Sequence, residues 1–172
     1  MPTSLAVPPL LATFYATIGG LVLMSDSMML SLGDKVTKNA HKESGLLKTT
    51  LSFAALTAIL QLSAFLYAQD ISYDAITFTL ALAAAINYIV FDSTKQGLAL
   101  AALCAVGAPA CELFLMENFH LWHYPVVGAA ANNLTLMGSI DGGIPSWVPW
   151  CYFAYIPALS NLARYLNKTL RD

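Results

Sequence analysis

Two apolar runs joined by a five-residue polar link constrain this chain more than anything else in it. The runs are ITFTLALAAAINYIVF and GLALAALCAVGAPAC, and the link is Asp92-Ser93-Thr94-Lys95-Gln96. Each run comes close to the roughly 20 apolar residues that cross a hydrocarbon core as a helix. In lipid, every backbone N–H and C=O must find a partner inside the protein, and a helix supplies one within the segment itself. The link is too short for anything but a tight turn at a membrane surface. A helical hairpin is expected, with Asp92 at an interface between two spans.

The rest of the chain agrees with that solvent. Of its 172 residues, 58% are hydrophobic and only 10% are charged. A soluble domain carries roughly a quarter charged residues. The expected class is all-α, a polytopic transmembrane helix bundle forming a single domain over residues 1–172. Cys104, Cys111 and Cys151 lie in apolar segments without CxxC spacing, so neither a zinc site nor a redox motif is indicated. There is no basic run of the kind that attracts nucleic acid. The amino terminus lacks a basic n-region and reads as part of the mature chain.

Five spans are expected, at about 5–24, 49–69, 74–91, 97–116 and 145–166. Between the first two lies a polar segment, from Asp26 to Lys48. The stretch HYPVVGAAANNLTLMGS is mildly apolar, but Asn132 and Asn133 at mid-membrane would each be costly. It reads as an interfacial or re-entrant loop. Orientation follows from the basic residues, because short loops rich in Lys and Arg stay on the inner side. With five spans, Lys35, Lys38, Lys42, Lys48, Lys95, Arg164, Lys168 and Arg171 all fall on one side, and these are all 8 Lys and Arg of the chain. The amino terminus is then outside and the carboxyl terminus on the cytoplasmic, inner side.

Few polar groups interrupt the spans. Gln61 and Asn87 are candidates for hydrogen bonds between helices, or for polar contacts to a bound lipid or pigment. Glu112 sits near a helix end, where a carboxylate must reach headgroups, face a cavity or be protonated. Glu117-Asn118-Phe119-His120 forms one Glu-x-x-His, with His123 a turn further on. A di-iron bundle needs that motif twice, so no metal is expected, and Trp122 and Tyr124 read as an interfacial aromatic belt. No nucleophile-and-base pair, phosphate loop or HExxH is present, so nothing demands an enzyme.

Four passages resemble the Insig (insulin-induced gene) protein family. VPPLLATFYATIGGLVL resembles the opening of that family's second span. FTLALAAAINYIVFDSTKQG resembles its fourth span and the cytoplasmic link after it. The helix after Gly97 continues in register, and IPSWVPWCYFAYIPALSNLARYL resembles its last span. The family's link carries arginines where this one offers Lys95, and its paired tryptophans are replaced by Tyr88 and Ile89. The resemblance implies a six-span fold of which this chain lacks the first span. It also implies an endoplasmic reticulum membrane, an oxysterol or other lipid held in the bundle, and a membrane partner bound through the link aspartate, Asp92.

The leading expectation is therefore a non-enzymatic, regulatory, Insig-like protein with a bound lipid or sterol. Asp92 and Lys95 would face another integral membrane protein, and Gln61, Asn87 and Glu112 would supply polar contacts to the ligand. One alternative is an accessory subunit of a larger complex in a thylakoid or other plastid membrane. It would bind chlorophyll or carotenoid, with His120 or His123 as a pigment ligand. A second alternative is an intramembrane isoprenoid-processing enzyme with Glu112 as its acid.

Overall fold

A computed structural model describes residues 7–119 and 144–171. The described residues form six helices and no strand. They are α1 (Val7–Ser31), α2 (Lys35–Glu43), α3 (Leu46–Ala68), α4 (Tyr73–Phe91), α5 (Lys95–Phe119) and α6 (Val148–Thr169). Four of them contain segments long and apolar enough to cross a bilayer: Pro8–Ser31, Leu46–Ala68, Tyr73–Phe91 and Lys95–Phe119. The described part of the chain is thus all-helical and suited to a lipid bilayer. His120, His123, Asn132 and Asn133 lie outside the described residues.

Local chemistry sets the helix ends. Pro8 and Pro9 fall in the first turn of α1, where a missing N–H matters least. The first helix continues past Asp26 to Ser31, seven residues beyond the expected end at Met24. It stops at Gly33, whose φ of 78° is open to glycine without strain. There the Gly33 N–H donates to Leu30 O and the Asp34 N–H to Met29 O, closing a Schellman motif. Asp34 then caps α2, a short amphipathic helix inside the segment expected to be a polar loop.

α6 runs through the middle of the bundle. It packs against α1, α3, α4 and α5. On one side, Ala154 and Ala158 of α6 meet Leu56, Ile59, Ile76, Leu80 and Ala84. On the other, Ile156, Leu159 and Ala163 meet Ile18, Val22, Ala101 and Cys104. The alanines let the helix backbones come close, which matters because apolar burial does little to drive helices together within lipid. Phe78, Leu103 and Met28 are exposed on the outside of the bundle, where acyl chains would meet them.

The five long helices alternate in direction. At one end Asp26, Asp92, Gln96 and Arg164 converge. At the other, Tyr67 and Tyr73 pack on Trp147, and the Thr77 and Ser146 hydroxyls lie 2.7 Å apart. α2 lies across the first end, which also receives every Lys and Arg of the chain. α6 corresponds to the fifth expected span. Ser160, Asn161, Arg164 and Lys168 make it the most polar of the long helices, and composition alone does not class it with the other four.

Candidate functional site

The structure offers two places where chemistry concentrates: a buried charge centre at one end of the bundle and an apolar cleft nearer the other.

The charge centre is built around Arg164, which is 1% exposed. Its Nε donates to Asp26 Oδ2 at 2.7 Å and its Nη2 to Asp26 Oδ1 at 3.1 Å. This is the two-pronged geometry a guanidinium makes with a carboxylate. Its Nη1 donates to Asp92 Oδ1 at 2.8 Å. One cation thus ties α1, the α4–α5 link and α6 together. Gln96 adds a bridge, its Nε2 donating to Asp26 Oδ1 at 2.7 Å and to Thr37 Oγ1 at 2.8 Å. His41 Nε2 lies 2.9 Å from Asp26 Oδ2 as a close polar contact, without the alignment of a hydrogen bond. In a low-dielectric interior an unpaired charge costs several kcal/mol, so these groups hold their positions jointly.

The link itself is wound tightly around Asp92. Ser93 takes a left-handed φ of 58°, and its hydroxyl donates to Ile89 O at 2.6 Å. The Thr94 hydroxyl donates to Asp92 Oδ1 and accepts from the Gly97 N–H. The Tyr88 hydroxyl donates to Thr94 O at 2.6 Å. Gly97 sits so near the Asp92 carboxylate that any β-carbon there would overlap it. Beside the link, Asn161 Nδ2 donates to the terminal carbonyl of α4, Phe91 O, at 2.9 Å. That carbonyl has no partner within its own helix.

Thr37 joins this centre to the cap of α2. Its hydroxyl donates to Asp34 Oδ2 at 2.6 Å and its N–H to the same oxygen at 2.8 Å. These bonds hold the Asp34 carboxyl below its ordinary value of 3.8. A carboxyl lowered on folding contributes stability above its unfolded value and loses it as pH falls through the lowered one. The cap is therefore expected to be complete at neutral pH and to weaken on acidification below 3.8. Hydrogen exchange of the Thr37 N–H, with a protection factor that falls below pH 3.8 in the wild type but not in Asp34→Ala, checks this. Equal acid sensitivity with and without Asp34 refutes it.

The cleft lies between α4, α5 and α6 and has a volume of about 480 Å³. Its walls include Ala102, Ala105, Val106, Pro109, Trp150 and Phe153. Pro109 has no N–H to give the carbonyl of Ala105, one turn earlier on the same wall. The Thr77–Ser146 hydroxyl pair provides the polar side chains of the lining. The cleft is therefore almost wholly apolar, with a mutually bonded hydroxyl pair at its wall and little polar surface open to an occupant.

The expected site residues are distributed differently from this cleft. Gln61 is exposed on the outer face of α3. Asn87 is buried, and its Nδ2 donates to Ala154 O at 3.0 Å across the α4–α6 seam. Glu112 accepts a 2.7 Å hydrogen bond from the Tyr152 hydroxyl. None of the three lines the cleft. Asp92 is within the link as expected, but its carboxylate faces Arg164, and Ser93 and Lys95 are the exposed residues of that corner. In the sequence alone, Arg164 reads as one more inner-side charge and Asp26 as the start of a loop. The signal for their pairing was an isolated carboxylate ending one apolar run and an isolated guanidinium near the end of another. Thr77 and Ser146 carried no such signal, since hydroxyls are common in spans.

Comparison with family models, curated proteins and solved structures gives no match to this chain.

Proposed function

We propose that this chain is a non-enzymatic membrane protein that holds a lipid or sterol between α4, α5 and α6 and docks on another membrane protein. In this reading α6 is a fifth span, the amino terminus is outside and the carboxyl terminus inside. The observation that carries it is the 480 Å³ cleft, whose side-chain polarity comes from Thr77 and Ser146. Such a site favours a ligand that places a large apolar body in the cleft and needs little polar contact there. The resemblance to the Insig family supports the same ligand class and adds the endoplasmic reticulum and a regulatory role. The exposed corner at Ser93 and Lys95 is the surface offered to the partner, with Asp92 holding its shape through Arg164.

Lipid extraction and mass spectrometry of the protein purified in mild detergent test the reading. One lipid class is expected at near-equimolar amount. Ala105→Phe, which fills the cleft, is expected to lower it about tenfold and the melting temperature by only a few degrees, because a tenfold change in binding corresponds to roughly 1.4 kcal/mol. A wild-type protein with only bulk lipid, or an undiminished lipid in Ala105→Phe, refutes a ligand in this cleft.

A further inference from the structure

We propose that α2 is a fixed platform for the headgroups of anionic phospholipids in the leaflet at the charged end. Helical spacing puts Lys35, Lys38 and Lys42 on one stripe of α2, and all three are exposed. The opposite stripe faces the bundle, with Thr37 and Ala40 buried and Ser44 buried just beyond the helix end. That side is pinned by Gln96 to Thr37 and by the contact of His41 with Asp26. The lysines therefore stand on a rigid base and are not carried on a free loop.

Their charge is available. Lys48 pairs with Glu43 at 2.9 Å, whereas Lys35, Lys38 and Lys42 take part in no ion pair among the described residues. A second observation sets the depth of the platform. Leu32, just before α2, is 78% exposed, and Leu46 and Leu47, just after it, are 65% and 74% exposed. Leucines so exposed on both flanks are stable at the acyl boundary and unfavourable in water. With the leucines at that boundary, the lysine side chains reach the phosphate layer just outside it. Complementary charge then selects acidic headgroups.

The test reconstitutes the full chain in vesicles of phosphatidylcholine and phosphatidylglycerol, extracts it with its surrounding lipid in a polymer belt, and measures the lipid ratio by mass spectrometry. The wild type is expected to enrich phosphatidylglycerol about fivefold over the vesicle ratio, with the enrichment falling as salt is raised. The K35Q/K38Q/K42Q variant is expected to return to the vesicle ratio with an unchanged melting temperature, since the replaced side chains are exposed and make no ion pair among the described residues. K168Q, at the same end but on α6, is expected to keep the enrichment. No enrichment in the wild type refutes the platform. An equal loss in K168Q refutes it too, by showing a diffuse charge effect in place of a site on α2.

Discussion

Arg164→Met is expected to destabilise the bundle by about 3–5 kcal/mol, because it leaves two carboxylates without their cation in a water-poor interior. Asp26 and Asp92 both accept hydrogen bonds from this guanidinium, and both are buried. Methionine has nearly the right length, so lost packing contributes little and the effect is electrostatic. In a chain of this size the loss lowers the melting temperature by roughly 10 °C. Thermal unfolding in detergent, followed by circular dichroism, reads it. Arg164→Lys is expected to recover only part, since an ammonium cannot make the two-pronged contact to Asp26 while also reaching Asp92. The variant with Asp26→Leu and Asp92→Asn added to Arg164→Met is expected to be more stable than Arg164→Met alone, because it removes the stranded charges. If the triple variant is the least stable of the set, charge stranding is not the cause.

Gly97→Ala is the second large effect expected. Gly97 is helical with an ordinary φ, so alanine suits its backbone and would by propensity favour the helix by about 1 kcal/mol. The cost is steric. A β-carbon there would overlap the Asp92 carboxylate and press on the Thr94 hydroxyl, two groups held by Arg164 and by each other. Neither is the loose end of a flexible chain. Overpacking of this kind costs about 1–3 kcal/mol, and displacement of Asp92 from Arg164 adds to it. Gly20→Ala in α1 is the control, because nothing lies within 4 Å of a β-carbon at that position. It is expected to be neutral or slightly stabilising. Equal melting temperatures for Gly97→Ala and Gly20→Ala would show that the link has room to relax.

The helices were legible because lipid leaves a coarse signature. α3, α4 and α5 begin and end within about three residues of the expected limits, and polar turns bound both ends of α3 and α4 and the start of α5. α1 runs past its expected end for the opposite reason. Asp26 looks like the edge of a span, yet its charge is neutralised inside the bundle by a residue 138 positions later. No local pattern carries that information. α2 was overlooked because it is nine residues long and polar on average. Its buried stripe of small residues, Thr37 and Ala40, becomes meaningful only when the bundle end provides a surface for it.

Polarity also reads in reverse here. In a soluble protein the most apolar helix is expected at the centre. In this bundle α1, α3, α4 and α5 face lipid and must be apolar, whereas α6, surrounded by protein, can carry Asn161 and Arg164. Ser160, Asn161 and Arg164 are each no more than 1% exposed. The polar residues of the last helix mark its position inside the assembly.

By itself the sequence determined the solvent, the class and the hairpin, because apolar run length and the thickness of a bilayer are both one-dimensional quantities. It also determined that every basic residue belongs at one end, given helices that alternate in direction. Only the tertiary structure decided which carboxylates meet Arg164, that α6 is central, and that Thr77 and Ser146 share a cleft wall. Those outcomes depend on the rotation of each helix about its axis. That rotation is settled by close packing of small side chains and by the pairing of a few buried charges, terms that couple residues far apart in the chain.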